Sequence, residues 1–421
     1  MEPRASRHPH PDVDRTKGRA QPSSTNDLTI QFSPVPDTFI GRIVGSRIVI
    51  FAMFGAAGCT ACGGCARSAP PAAGASSAVA QAATSCVVAF DSLEAIIRND
   101  YPGYAEKARG RERSLAALAD SVRAIARSSA DFRVCIPAMQ RWIHYFRDPH
   151  LMLWQSAPPA SASATTPAAG SAAVPEVPAA DPDRPTLRTI DDSTYLVRIP
   201  SLDRSYKGAL DSLVAAHRDK LLSTPYLVLD LRGDGGGCTC TYSALVPLLY
   251  GGPFRELGYD LWTSPADVAF LRDALTDGTM PDSSKSEIRR VLPQLEATPN
   301  AFVPFPGDTV VRLDTVYPMP RTVAVLVDHG CASSCEDFVL MARESRKVTI
   351  VGAERTAGVH DYGNVRAVWL PGWRRLRIPT TRSHGLPGGA IDNVGLAPGV
   401  WVPAGVDDAV RFARSAASRP H

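Results

Sequence analysis

Three short apolar runs constrain this chain more than any other feature. They are Tyr226–Leu231, Thr322–Val327 and Val348–Val351. None shows the strict alternation of a half-exposed strand, so each reads as a strand buried on both faces. The stretch Ser334–Arg346 lies between the last two and has helical spacing. A strand, a crossover helix and a second buried strand make a βαβ unit, which requires a parallel sheet. Upstream, Thr194–Ile199 reads as a further strand and Leu210–Leu222 as an amphipathic helix. Residues 186–412 are therefore expected to form an α/β domain with a mostly parallel central sheet. Within it, residues 252–318 are polar and broken by Pro and Gly, and are read as an excursion over one face.

The region before this domain has a different composition. Residues 84–155 carry apolar residues at helical spacing: Val88, Leu93, Ile96 and Ile97, then Leu115, Leu118, Val122 and Ile125. They are expected to form a small helical N-terminal domain. Residues 156–185 are Ala/Pro-rich and read as a linker, and residues 60–83 as a low-complexity tether. Residues 1–40 are polar and Pro-rich and read as a disordered extension.

Residues 41–59 read as an export signal. Arg42 and Arg47 precede the apolar run Ile48–Ala57. About ten apolar residues are too few to span a bilayer, but suit a signal-peptide core. The run ends in Ala56-Ala57-Gly58-Cys59, which resembles a bacterial lipoprotein cleavage site with Cys59 as the lipidated residue. On that reading a lipid anchor would hold the protein on the periplasmic side of the cell envelope. The alternatives are a short buried helix and an uncleaved anchor.

Cysteine usage points to the same oxidising compartment. Of nine cysteines, Cys59, Cys62 and Cys65 lie in the export region. Cys86 and Cys135 could staple the helical region, and Cys238 and Cys240 could pair with Cys331 and Cys335. Six cysteines allow fifteen pairings. A zinc site built from the last four is the rival, although Cys-x-Cys and Cys-x3-Cys are not the usual zinc spacings. No His-Glu-x-x-His or comparable metal set occurs, and no cofactor is implied. With 45 basic and 42 acidic residues, the net charge of +3 gives no reason to expect a nucleic-acid partner.

Two segments carry the chemistry. In the first, Leu229-Asp230-Leu231-Arg232-Gly233-Asp234-Gly235-Gly236-Gly237, a buried strand ends in a glycine-rich turn. Such a turn can aim backbone N–H groups at a phosphate or an oxyanion. The spacing is not that of a Walker loop, and a purely structural turn is the alternative. In the second, Val325-Leu326-Val327-Asp328-His329-Gly330-Cys331-Ala332-Ser333-Ser334-Cys335-Glu336, another buried strand ends in two serines that open a helix. A serine there sits where the helix favours developing negative charge. Ser-x-x-Glu is also a capping box, so Ser333 or Ser334 could simply cap the helix.

Taken together, the two segments resemble the tail-specific, or C-terminal processing, peptidases and the tricorn core protease. Asp230-Leu231-Arg232 with Gly236-Gly237, then Ala332-Ser333-Ser334-Cys335-Glu336, follow that family's two motifs. Val351-Gly352 with Glu354, and Asp392-Asn393-Val394-Gly395-Leu396-Ala397-Pro398, continue its order. Asp234 and Gly399 depart from it. The resemblance implies a ClpP/crotonase-like core, Ser333 as nucleophile, and an oxyanion hole from Gly236, Gly237 and Ser334. The lysine base of the processing branch is absent, since its region reads Arg355-Thr356-Ala357-Gly358-Val359-His360. The tricorn-type branch draws its base from the upstream helical region, where Asp148-Pro149-His150-Leu151 matches its signature. His150 is then the implied base, His360 a competitor, and Asp392 the residue orienting the base. A weak serine nucleophile needs such a base, and imidazole suits neutral pH.

These residues imply a serine peptidase acting on peptides or unfolded protein through an acyl-enzyme. The rivals are an inactive module on the same fold that binds apolar ligands or peptides, and an esterase-like acyl hydrolase. No segment between His150 and Tyr195 resembles a folded tail-binding module, so the cleft itself would have to select the substrate.

Overall fold

The computed structural model describes residues 85–129, 131–155, 181–278, 280, 282–305, 307–371 and 374–417. The extension, the signal segment with Cys59, the tether and residues 156–180 of the linker lie outside them. All the described residues belong to one unit, Pro36–His421. Among them, no helix is long and apolar enough to cross a membrane.

The described residues open with four helices: α1 (Cys86–Asp100), α2 (Tyr104–Ala108), α3 (Glu112–Ser128) and α4 (Phe132–His144). Ser85 caps α1 by accepting from the Val88 N–H, and Asp131 caps α4 by accepting from the Arg133 N–H. The Cys86–Cys135 disulfide ties α1 to α4. Phe90 and Phe146 pack edge-on against the buried Trp142. This core is not closed by helices alone. Strand β1 (Met152–Gln155) pairs antiparallel with β13 (Arg374–Ile378), which pairs with β12 (Arg366–Leu370). Leu153, Leu370, Leu376 and Ile378 complete the helical core, so segments far apart in sequence share it.

The main sheet runs in the order β15 (Val400–Trp401), β10 (Val348–Gly352), β9 (Thr322–Val327), β4 (Tyr226–Asp230), β3 (Thr194–Arg198), β2 (Thr186–Asp191). All its pairings are parallel except β2 with β3. This is the α/β architecture with a mostly parallel sheet expected from the buried runs. Both faces are covered. Leu227, Leu229, Val323, Val325 and Val327 enter the larger core, while Val228, Ala324 and Leu326 pack against Ala413, Ala416 and Ala417. Those alanines belong to the C-terminal helix Ala409–Ala417. Full burial of each such Val or Leu contributes about 1.5–3 kcal/mol.

Some elements differ from expectation. The helix read at Leu210–Leu222 is two helices, Lys207–Ala216 and Arg218–Leu221, with His217 at the break. The helix after the serine turn, Ser334–Ala342, ends earlier than expected. The stretch read as a polar excursion has a core of its own. Helices Pro265–Ala274 and Asp282–Ala297 pack Val268, Leu271, Ile288, Val291 and Leu295 against Leu261 and Val303. Leu261 and Val303 lie on strands β6 (Tyr259–Trp262) and β7 (Phe302–Pro304). These join β14 (Thr381–Ser383) and β11 (Tyr362–Gly363) in a four-stranded sheet. A two-stranded pair, β5 (Phe254–Glu256) and β8 (Thr309–Val311), completes the segment.

Candidate active site

Strands β4 and β9 are parallel neighbours, with Asp230 beside Leu326. Their carboxyl ends therefore bring the glycine turn and the serine turn side by side, where α/β sheets bind ligands. The turns are joined by backbone: the Ala332 N–H donates to the Asp234 carbonyl at 3.1 Å. Gly236 adopts φ +90°, and a Cβ there would lie 2.5 Å from the Ala332 carbonyl oxygen and 2.9 Å from Ser333 Cβ. Only glycine permits this approach.

Ser333 has φ 55° and ψ −118°, outside the regions that L-residues favour, and is the N-cap of Ser334–Ala342. Such a conformation costs about 1–3 kcal/mol and persists only where its surroundings fix it. Here they do. The Ser333 N–H donates to the Val359 carbonyl at 3.0 Å and to Glu336 Oε2 at 3.2 Å. Glu336 is fully buried and also accepts from Thr356 Oγ1 (2.5 Å), Gly358 N (2.8 Å) and Val359 N (2.8 Å). It closes the capping box read from sequence, and it also bolts the serine turn to residues 356–359. Sequence spacing revealed only the first of these roles.

The cysteines of this region pair locally. Cys238 bonds Cys240, and Cys331 bonds Cys335 around the serines. The expected cross-pairing between the two turns is not formed. The backbone bonds and the glycine contact already hold the turns together. Cys86 and Cys135 pair as expected.

Of the expected oxyanion donors, the Gly236 N–H is already committed. It donates to Asp234 Oδ1 at 2.9 Å, which also accepts from the Leu202 N–H at 3.1 Å. Burial pushes the Asp234 carboxyl up to about 7. Ser334 Oγ donates to the Gly237 carbonyl at 2.9 Å, fixing the last glycine of the turn on the helix start. Gly237 N–H and Ser334 N–H are the remaining expected donors.

The two histidines are both buried. The His150 backbone N–H donates to Asp148 Oδ1 at 2.8 Å, and Asp148 Oδ2 accepts from Tyr101 Oη at 2.6 Å. The imidazole Nδ1 lies 2.5 Å from the Tyr362 carbonyl. Burial, with the Arg377 guanidinium nearby, holds this ring down at about 3, so it is neutral. A neutral ring facing a carbonyl through Nδ1 must carry its proton there, leaving Nε2 with the lone pair. Among the described residues no hydrogen bond joins His150 to Ser333.

The expected orienting residue, Asp392, does not meet the His150 ring. Its Oδ1 accepts from the His360 and Asp361 N–H groups, both at 2.9 Å, and Lys107 Nζ stands 3.4 Å from Oδ2. Asp is a short side chain and these backbone donors hold it at its own turn, so the Tyr362 carbonyl faces the ring instead. Burial, then the neighbouring Asp361, pushes the Asp392 carboxyl up.

His360 has the opposite environment. Its Nε2 is 2.7 Å from Asp337 Oδ1, which also accepts from Tyr259 Oη at 2.5 Å. Burial opposes its charge, but Asp337, Glu336 and Asp361 prevail and hold it up at about 9. Near neutral pH it is an imidazolium and cannot accept a proton. Asp337 is four residues beyond Ser333 on one helix face, a spacing visible in the sequence but not read from it. Glu256 is half-buried, and desolvation together with the Asp337 charge pushes it up to about 7.

No family model and no curated protein matches the chain. Solved structures do resemble it. A lipoprotein from Streptococcus agalactiae aligns at 13% identity over 79% of this chain and 97% of its own, with a TM-score of 0.45. The photosystem II D1 C-terminal processing protease aligns at 16% identity over 52% of this chain and 45% of its own, with a TM-score of 0.33. Mature CPAF aligns at 14% identity over 76% of this chain and 93% of its own, with a TM-score of 0.50, and with it the chain shares its fold.

Proposed function

We propose that the chain is a serine peptidase of the C-terminal processing family, in the branch that lacks the lysine base, with a ClpP/crotonase-like core. The observation that carries this reading is Ser333 itself. It is held at positive φ at a helix start, pressed against Gly236 and fixed by the buried Glu336. A serine used only as a cap needs neither the unusual backbone nor a glycine turn against its Cβ.

In the proposed reaction Ser333 Oγ attacks a peptide carbonyl. Its proton passes to Nε2 of the neutral His150, whose tautomer is set by the Tyr362 carbonyl. Gly237 N–H and Ser334 N–H receive the oxyanion. The amine leaves with the proton from His150, and water then releases the acyl group. Substrate binding would have to bring His150 and Ser333 into contact, as catalytic hydrogen bonds often tighten only in the complex. Asp392 acts at one remove, by holding the turn at 360–361. The substrate is a peptide or an unfolded protein. Export with lipidation at Cys59 belongs to the same proposal.

A fluorophosphonate probe tests it on the full chain. Labelling should map to Ser333, vanish in Ser333→Ala and accompany hydrolysis of an unstructured peptide that both Ser333→Ala and His150→Ala abolish. Wild-type hydrolysis in both variants would refute the mechanism. Faster turnover of esters than of peptides would redirect the reading to an acyl hydrolase.

A further inference from the structure

The sheet β1–β13–β12 has two unlike faces. Leu153, Leu376 and Ile378 point into the helical core. The opposite face follows from the register. Met152, Arg377 and Ala367 form one row across the three strands, and Arg375 and Trp369 belong to the next. Met152 and Trp369 are 47% and 55% exposed, unusual for side chains of that size, and Arg375 lies over the Trp369 ring at 5.7 Å. This face begins two residues after His150.

Arg377 is the anomaly on it. Arg366 is matched with Asp100 and Asp267, and Arg382 with Glu106, while Arg204 is unpartnered at Nε and Nη2. The Arg377 side chain makes no ion pair or hydrogen bond among the described residues; Asp148 acts on it only through space, and its Nε is buried without a partner. An unmatched, partly desolvated guanidinium is costly unless something else supplies the anion.

We propose that this face is a docking track for an acidic, extended stretch of the polypeptide substrate, with Arg377 taking a side-chain carboxylate next to the candidate base. The inference rests on the peptidase reading and names its substrate class. Arg375 and Arg377 are two residues apart on a strand, about 7 Å, which matches alternate side chains of an extended ligand. Trp369 and Met152 give the apolar and aromatic contacts that accompany arginine where binding energy concentrates. The chain's own segment 157–180 follows β1 directly but is a poor occupant, since Glu176 is its sole acidic residue.

The test uses the full chain carrying Ser333→Ala and three fluorescent peptides read by anisotropy. One has glutamates at alternate positions, the second has glutamines there, and the third is the glutamate peptide with an amidated C-terminus. The glutamate peptide should bind at least about tenfold tighter than the glutamine peptide at low salt, and amidation should not matter. Arg377→Gln should erase that ratio, and Arg377→Lys should keep part of it. Equal binding of both peptides, or a preference that survives Arg377→Gln, overturns the proposal. So does a preference lost on amidation, which would assign the ligand to the chain end. Displacement of the glutamate peptide by phosphatidylglycerol vesicles but not by excess unlabelled peptide would assign the face to a membrane surface instead. Should Arg377→Gln not fold, the glutamate-to-glutamine ratio of the parent and its collapse in high salt decide the matter. Fluorophosphonate labelling of the wild type separates the two ideas. Labelling with no acidic preference sinks only the docking track, while acidic preference without labelling sinks only the peptidase.

Discussion

His150 and His360 are the same residue type and both are buried, yet they hold opposite charge states near neutral pH. Around His150 the ring meets a carbonyl and an arginine. Around His360 it meets a carboxylate, with two more acids close by. Burial alone would make both neutral. The contrast lies in partner chemistry, which keeps one buried imidazole neutral and the other charged. It argues for His150 over His360 as proton acceptor without any appeal to kinship.

The largest test of that contrast is turnover. His150→Gln should lower kcat for an unstructured peptide by about 10²–10⁴-fold, as loss of a general base does. His360→Gln should cost clearly less, because a permanent imidazolium gives up field and packing but no proton acceptor. Steady-state kinetics of the two variants check this, and equal losses would dissolve the distinction.

Stability against pH comes next, and the signs differ. The folded state holds His360 at about 9, above its ordinary 6.5. Its contribution is full below about 6.5 and disappears as pH rises through 9, an upper limit of about 3 kcal/mol. His150, held at about 3, works the other way, and its buried neutral ring costs stability as pH falls below 6.5. Denaturant melts from pH 4 to pH 10 should therefore lose their alkaline decline in Asp337→Asn. They should lose part of their acid decline in His150→Gln. An Asp337→Asn profile that matches wild type would show that His360 is not held as a cation.

The smallest effect concerns the clamp that ties the serine turn to residues 356–359. Thr356 Oγ1 donates to Glu336 and accepts from the Leu396 N–H at 2.7 Å. Thr356→Val should destabilise the fold by about 1–3 kcal/mol by leaving buried partners unpaired. It should slow turnover modestly while leaving the charge of both histidines unchanged, as NMR titration of the rings would show.

Much of this was legible in the sequence, and for a physical reason. The parallel strands announced themselves because burial on both faces leaves unbroken apolar runs. The glycine turn and the serine turn could be read because each is a local strand-to-turn pattern, although the commitment of the Gly236 N–H to Asp234 could not. Features that depend on distant partners were not. The Tyr362 carbonyl facing His150 is a backbone group with no sequence signature. The pairing of Met152 with Arg377 joins residues far apart in sequence, so the arginines of that sheet face had no local signature. The local cysteine pairs were obscured because fifteen pairings were open. The core between residues 252 and 318 was missed although Ile288, Val291 and Leu295 already showed helical spacing.

The bond between His150 and Tyr362 joins residues 212 apart in sequence. A chain made from its N-terminus therefore carries His150 long before the carbonyl that selects its tautomer exists, and Ser333 emerges in between. A fragment ending between Ser333 and Tyr362 holds both side chains but not the carbonyl that the His150 ring faces. For a protein read as a peptidase, this order acts as a safety catch: the proposed base acquires its tautomer only after residue 362 has been made and folded into place.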